Sequence, residues 1–212
     1  MNEEFVPTPV GRARITWYPA GGGVRAVALL GHGSVTGIES ADLQALAEAL
    51  PPRDVTVALD TQPNRLDANP AVADYASLDL AWAAVWSAAA AGTGVPVIAG
   101  GRSAGAQVAC RTAGQRGAQG VLALAYPLLG PGSAQELVAT GRPTLVVQGG
   151  SDPFGRPDQF PPLPPEIELV EIPSANHTFG TGIGIPRSTS MTRITNAVSE
   201  WIDRQLSAAQ TP

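Results

Sequence analysis

The chain has 212 residues, a hydrophobic content of 44% and a formal net charge of −5. These values are typical of one globular domain with a good core, which we expect to span residues 1–212 with its core over about residues 12–206. The acidic balance argues against a basic face for nucleic acid or for an anionic membrane surface.

The cysteine count and the hydropathy exclude further classes of protein. Cys110 is the single cysteine, which excludes an internal disulfide and a multi-cysteine zinc site. The two histidines leave almost no material for a metal site. We expect no metal and no organic cofactor. The sequence has no apolar run of membrane-spanning length and no signal-peptide pattern, so we expect a cytoplasmic protein without membrane contact. Either a monomer or a homodimer is expected.

The first half of the chain predicts alternating strands and helices. The predicted strands are Arg14–Tyr18, Val24–Leu30 and Val55–Leu59, and the predicted helices are Leu43–Leu50 and Asp74–Ala91. Val24–Leu30 is nearly all apolar, which favours a central position in a sheet. A loop is predicted over Thr61–Pro70, which is polar and holds two prolines.

A G-x-S-x-G sequence, Gly101–Gly105, stands between a predicted strand at Val95–Ala99 and a predicted helix over Ala104–Ala113. In that context the central Ser103 sits on a sharp turn that exposes its hydroxyl, and the glycines allow strand and helix to pass closely. The motif alone is weak in a chain rich in Gly, Ala and Ser. The alternative is a tight turn with a serine near a helix N-cap.

The second half continues the alternation. It predicts strands at Gly120–Ala125, Pro143–Gln148 and Ile167–Ile172, a short helix at Gly132–Thr140 and a terminal helix at Ser190–Leu206. Ile167–Ile172 alternates apolar and polar residues, as a half-exposed edge strand does. Together the elements predict an α/β fold with a mostly parallel sheet, helices on both faces, and a ligand site beyond the carboxyl ends of the strands.

Three polar residues follow predicted strands in the order Ser103, Asp152, His177. A serine needs a base to act as a nucleophile at neutral pH, His177 could take its proton, and Asp152 could hold the imidazole tautomer. Asp158 and Asp60 are rival acids, and Asp152 could also be a plain turn residue before Pro153. His177 could be an ordinary surface histidine.

The Gly-rich loop after Val24–Leu30 is the candidate second half of an oxyanion hole. Its Gly33 and Ser34 would supply one backbone N–H group, and Ala104 would supply the other. His32 is expected to orient this loop rather than to act as the base. Arg102, beside the serine, could be solvated, could pair with a nearby acid, or could touch a substrate carboxylate.

Four segments carry a resemblance to a known family: residues 100–106, 126–132, 147–155 and 176–179. The chain resembles small alpha/beta-hydrolases that lack a lid, of the dienelactone-hydrolase-like kind. More narrowly, it is similar to the subfamily of the testis-expressed hydrolase-like proteins and the hydrolase-like subunit of the NSL histone-acetyltransferase complex. Asn176 and Ala106 depart from that subfamily, where Asp and Gly are frequent. The resemblance implies an eight-stranded or slightly trimmed sheet and hydrolysis through an acyl-enzyme.

The sequence therefore predicts a serine hydrolase that cleaves a small ester or thioester. No long insertion separates Ala125 from Pro143, so we expect an open, shallow site that favours short acyl groups. The candidate substrate contacts are His32, Arg102, Tyr126, Leu128, Phe154 and Phe179, with Leu66 as a further candidate wall. A non-catalytic scaffold on the same fold, or a perhydrolase using the same triad, remain the alternatives.

Overall fold

Within the residues that the computed structural model describes (1–67, 74–130, 133–182 and 186–208), eight strands form one sheet. They are β1 (Asn2–Thr8), β2 (Gly11–Tyr18), β3 (Ala26–Gly31), β4 (Val55–Thr61), β5 (Val97–Arg102), β6 (Gly120–Leu124), β7 (Thr144–Gly149) and β8 (Ile167–Ile172). Their order across the sheet is β1-β2-β4-β3-β5-β6-β7-β8. The strands β3 to β8 run parallel to one another, and β2 runs antiparallel to both β1 and β4.

Helices cover both faces of this sheet. They are α1 (Ala41–Ala49), α2 (Pro63–Leu66), α3 (Tyr75–Ala90), α4 (Ala104–Arg116), α5 (Ser133–Val138) and α6 (Arg187–Ala208). The predicted α/β architecture with a mostly parallel sheet is thus confirmed. The short helix α2 replaces part of the loop that we predicted at Thr61–Pro70, because Pro63 occupies the first helical turn, where its missing N–H group costs nothing. Residues 68–70 of that predicted loop lie outside the described residues.

Side chains from the central strands form two apolar layers. Leu29 of β3 packs in the layer that contains Trp82 of α3, together with side chains of α4 and α5. Leu30, the next residue, points the other way and packs in the layer that contains Trp201 of α6, together with side chains of α1. Because successive strand residues alternate between faces, a continuous apolar run is what a strand buried on both sides requires.

The sequence patterns predict the sheet positions of two strands correctly and miss a third strand. The strand β3 is central and β8 is an edge strand, as predicted. The opposite edge, β1, was not predicted. Only Val6 of this strand is buried, so its sequence lacks the apolar alternation that marks a strand, and it is held by antiparallel pairing with β2.

The connection between β6 and β7 contains one described helix, the six-residue α5. This is too small to form a lid domain over the carboxyl ends of the strands, in agreement with the predicted lidless fold. None of the helices in the described ranges is both long and apolar enough to cross a membrane.

Candidate active site

Ser103 lies on the turn between β5 and α4, with φ 52° and ψ −118°. Such a backbone conformation costs a non-glycine residue about 1–3 kcal/mol and is held in place by its surroundings. The surroundings here are close: a Cβ atom on Gly105 would lie 2.5 Å from the carbonyl oxygen of Gly31 on β3. The glycine therefore allows α4 to start against β3, which lifts the serine side chain above the sheet edge.

The three side chains that the sequence singled out meet at this edge. Nε2 of His177 lies 3.0 Å from Oγ of Ser103, and its Nδ1 lies 2.8 Å from Oδ2 of Asp152. Since a carboxylate only accepts hydrogen bonds, Nδ1 carries the proton, which leaves Nε2 of the neutral ring free to accept from the serine hydroxyl. The residues follow β5, β7 and β8, and parallel strands place their carboxyl ends at one edge.

Asp152 is held by more than the histidine. Its side chain is buried, Oδ1 accepts the N–H of Phe154 at 2.8 Å, and Oδ2 accepts Nε2 of Gln148 at 3.1 Å. Gln148 was missed at the sequence level, although a glutamine inside an otherwise apolar strand is a visible signal. Neither rival acid takes this place: Asp158 is exposed and pairs with Arg156, and Asp60 is buried against Gln62.

The loop that carries His177 is shaped by its neighbour Asn176. Oδ1 of Asn176 accepts the N–H groups of Thr178 and Gly180, at 2.9 Å and 3.0 Å. Only an acceptor oxygen is needed for these bonds, and asparagine and aspartate both supply one. The departure from aspartate at this position therefore leaves the loop geometry supported.

The Gly-rich loop after β3 lies directly against the serine. A Cβ atom on Gly33 would lie 3.3 Å from Cβ of Ser103. Nδ1 of His32 donates to the carbonyl oxygen of Gly33 at 2.7 Å, and Nε2 accepts the N–H of Gln62 at 3.1 Å. In a planar trans peptide the C=O and N–H groups point in opposite directions, so the bond from His32 also sets the direction of the Ser34 N–H group.

His32 is an inner support of this loop. Its side chain is buried, and that burial lowers its pKa below the usual 6.5, so the ring is neutral at physiological pH. It borders a small cavity with Gln62 and Trp82, and this cavity adjoins the larger pocket beside Ser103, with which it shares Ser34 and Ala104. The bond to Gly33 agrees with the expectation that His32 orients the loop. His32 is absent from the described lining of the pocket that contains Ser103, and its contact with substrate stays a prediction.

Ala104, the other expected N–H donor, is the first residue of α4. The N–H groups at the start of a helix have no partner within the helix and carry partial positive charge. They suit a developing negative charge on an oxygen atom next to Ser103.

Arg102 is buried beside the serine and pairs with an acid, one of the alternatives left open by the sequence. Its Nε donates to Oδ2 of Asp42 at 3.0 Å, and its Nη1 donates to Oγ1 of Thr36 at 2.8 Å. Its Nη2 donates to the carbonyl oxygen of His177. The guanidinium thus ties the turn that carries Ser103 to α1, to the Gly-rich loop after β3 and to the loop that carries His177.

A pocket of about 460 Å³ opens beside Ser103 and His177. Its other described lining residues are Gly33, Ser34, Val35, Thr36, Tyr75, Leu78, Arg102, Ala104, Gln107, Pro127, Phe154 and Thr178. The lining includes Phe154, as the sequence predicted. It also includes Tyr75 and Leu78 of α3, which the sequence patterns assign to no site.

Three of the expected walls belong to the core instead. Tyr126 and Phe179 are fully buried, and Tyr126 donates its hydroxyl to the carbonyl oxygen of Ser133 at 2.7 Å. Leu128 is buried against Gly155, where a Cβ atom would lie 2.5 Å from Cβ of Leu128. A residue just after a strand can turn either outward or into the core, and these three turn inward. Leu66, at the end of α2, likewise lies outside the described lining.

Comparisons with known proteins agree with this architecture. A family model described as an alpha/beta hydrolase domain matches residues 24–203. No curated protein sequence gives a significant match.

Three solved structures illustrate the likeness. A serine hydrolase without a lid from Xanthomonas campestris is 20% identical with a TM-score of 0.79, and the alignment covers 100% of this chain and 96% of that one. A serine hydrolase homologue from Coxiella burnetii is 16% identical with a TM-score of 0.77, covering 94% and 96%. A dienelactone hydrolase from Anabaena variabilis is 22% identical with a TM-score of 0.72, covering 96% of each chain. At these identities the likeness is one of fold, and the family match over residues 24–203 shows that the chain belongs to the alpha/beta hydrolase domain family.

Proposed function

We propose that the protein is a serine hydrolase that cleaves an ester or thioester through an acyl-enzyme. The observation that carries the proposal is the continuous hydrogen-bonded series from Ser103 through His177 to the buried Asp152. A serine hydroxyl 3.0 Å from an imidazole nitrogen is within the reach that general-base activation needs.

In the first half-reaction the substrate carbonyl oxygen lies between the N–H groups of Ala104 and Ser34. Ser103 Oγ attacks the carbonyl carbon while His177 Nε2 takes the hydroxyl proton, and Asp152 stabilises the imidazolium that forms. His177 then gives the proton to the leaving oxygen or sulfur. The bond from the acyl carbon to that atom breaks, and an alcohol or thiol departs from the acyl-serine.

In the second half-reaction water takes the place of the leaving group. His177 removes a proton from water, the resulting hydroxide adds to the acyl carbon, and the bond to Ser103 Oγ breaks as His177 returns the proton to that oxygen. Each oxyanion-hole donor contributes about 10²- to 10³-fold to such a rate. The free carboxylic acid leaves, and the enzyme is restored.

The non-catalytic scaffold is the less favoured alternative. A site released from selection for catalysis has no reason to keep Ser103, His177 and Asp152 in hydrogen-bonded order. Further hydrogen bonds hold the three residues in place: Gln148 donates to the side chain of Asp152, and Arg102 donates to the carbonyl oxygen of His177.

We propose further that the substrate is a small molecule handled in the cytoplasm by a monomer or homodimer. Cys110 is free and buried, which suits a compartment in which disulfides are not needed for stability. Placement within the testis-expressed and NSL-complex subfamily remains a proposal that rests on the sequence segments quoted above.

The test is hydrolysis of a panel of 4-nitrophenyl esters of increasing acyl length by the wild type and by matched variants. We expect activity on short esters, a loss of about 10³- to 10⁴-fold in Asp152→Asn, and near wild-type rates in Asp158→Asn. Asp158 is the control because it is an exposed aspartate in the same loop. Equal activity of the two variants, or a preference for long acyl chains, contradicts the proposal.

A further inference from the structure

The mouth of the pocket beside Ser103 carries large apolar side chains in contact with solvent. Val35 is 85% exposed, Tyr75 is 50% exposed and Phe154 is 52% exposed, and all three line the same pocket. Exposed apolar surface gathered at one concave site indicates a ligand with apolar groups.

Phe154 belongs to the side of the pocket where the leaving group must lie. Its ring centroid is 4.6 Å from that of His177, and its N–H donates to Asp152. Its carbonyl oxygen accepts the N–H of Leu129 at 3.0 Å, so the backbone beneath the ring is held on both sides. Because His177 must reach the departing atom to protonate it, a group attached to that atom extends next to the wall around His177.

A second part of the pocket lining comes from the helices α3 and α4. Tyr75 and Leu78 lie on α3, and Gln107 lies on α4. The guanidinium of Arg111 lies 4.6 Å from the ring centroid of Tyr75, which fixes the ring from behind. With the carbonyl oxygen at Ala104 and the leaving group toward His177, the acyl substituent has this wall as its neighbour.

Among its described lining residues, the pocket offers a substrate no arginine or lysine that lacks a partner ion. Arg102 and His177 are the ionisable side chains that could be cationic among its described lining residues, and Arg102 is bound to Asp42. The remaining segments, 68–73, 131–132, 183–185 and 209–212, contain no Asp, Glu, Lys, Arg or His in the sequence. A substrate carboxylate in this pocket would lose its hydration without gaining a partner ion.

We propose that the site takes an uncharged ester or thioester with an apolar leaving group packed on Phe154 and an acyl group packed on Tyr75 and Leu78. This assignment rests on the proposed serine hydrolase function and adds a substrate class and two specificity-determining walls to it.

The experiment measures two selectivity ratios in the wild type, Phe154→Ala and Tyr75→Ala. The leaving-group ratio compares kcat/KM for benzyl acetate and methyl acetate, and the acyl ratio compares methyl phenylacetate and methyl acetate. We expect Phe154→Ala to lower the leaving-group ratio about tenfold with little change in the acyl ratio, and Tyr75→Ala to do the reverse. Leu80→Ala, an exposed apolar residue on α3 outside the pocket lining, is the control that should move neither ratio.

A second comparison tests the charge assignment with benzyl butyrate and monobenzyl succinate, which differ chiefly by a carboxylate. We expect the uncharged ester to be preferred by about tenfold or more. An equal or greater rate on the succinate overturns the uncharged class. Wall variants that change both ratios alike, or change neither, overturn the assignment of the two walls.

Labelling each variant with a fluorophosphonate distinguishes a failure of the substrate assignment from a failure of the proposed hydrolase function. If Ser103 reacts while the ratios fail to shift as described, the substrate assignment is wrong and the hydrolase function stands. If the folded wild type neither reacts nor hydrolyses any ester, the function is wrong and the substrate assignment falls with it.

Discussion

Arg102 and Asp42 form a buried ion pair directly behind the candidate nucleophile, with Nε 3.0 Å from Oδ2 and both side chains at most 4% exposed. The remaining guanidinium donors reach Thr36, which follows the Gly-rich loop after β3, and the carbonyl oxygen of His177. A planar fork of donors suits one residue to hold several groups in fixed relation. Arg102 is therefore a positioning residue that couples the loops around Ser103.

This pair predicts that stability and activity can be separated. Asp42→Asn leaves the charge of Arg102 buried and unpaired, and we expect a loss of about 3–5 kcal/mol in the free energy of unfolding. The double variant Arg102→Met/Asp42→Leu removes both charges and should recover much of that stability in urea titrations. Its kcat should nevertheless remain about tenfold or more below the wild type, because Thr36 and the His177 loop lose their tether. A stable double variant with wild-type kcat contradicts the positioning role.

Two glycines of α4 should respond to alanine substitution with opposite changes in stability, because one lies against β3 and the other does not. Gly105→Ala places a Cβ atom 2.5 Å from the Gly31 carbonyl oxygen, whereas Gly114→Ala meets nothing nearer than the Thr140 carbonyl oxygen at 3.5 Å. We expect Gly105→Ala to destabilise strongly or to abolish soluble protein, and Gly114→Ala to raise the unfolding free energy by about 0.5–1 kcal/mol. Thermal unfolding of both variants decides the matter, and similar melting temperatures would show that the close approach to β3 is not needed.

Because His32 hydrogen-bonds to the Gly33 carbonyl oxygen, removal of the His32 side chain should impair catalysis without weakening substrate binding. We expect His32→Ala to lower kcat about 10- to 100-fold with KM little changed, because the Ser34 N–H group is no longer aimed at the developing oxyanion. His32→Asn retains a donor near the position of Nδ1 and should recover part of the loss. If KM rises instead while kcat holds, His32 contacts substrate after all.

Asp60 predicts a pH dependence of stability. Burial raises the pKa of its carboxyl to about 7 from the usual 3.8. The native state therefore keeps a proton that the unfolded chain releases between these values, so the contribution of Asp60 to stability is present below 3.8 and is lost as the pH rises to about 7. We expect Asp60→Asn to be more stable than the wild type at about pH 8 by up to about 4 kcal/mol, with a much smaller difference near pH 4. Urea titrations at the two pH values test this, and an equal difference at both would show that folding does not raise the pKa of Asp60.

The sequence located the catalytic candidates because parallel strands end at one edge, which makes a serine, an acid and a histidine after three strands neighbours in space. It could not orient residues that follow a strand: Tyr126 and Phe179 turn into the core and Phe154 turns out, and all three are aromatic. The partner of Arg102 lies 60 residues away in the chain and is brought near only by tertiary packing.

The edge strand β1 escaped prediction for a different reason. Its residues are mostly exposed, and it is held to β2 by backbone pairing and by polar contacts such as that between Glu3 and Arg14, none of which produces an apolar pattern in the sequence. For Gln148 the signal was present but was not used. A glutamine in a buried apolar strand is unusual, and its side chain donates to the carboxylate of Asp152.

The most direct test of the central claim is labelling with a fluorophosphonate probe, which reacts with an activated serine. We predict that the wild type is labelled, and that Ser103→Ala and His177→Ala, each folded by circular dichroism, are not. Labelling that survives in Ser103→Ala, or a folded wild type that takes no label, would contradict the assignment of Ser103 as a nucleophile activated by His177.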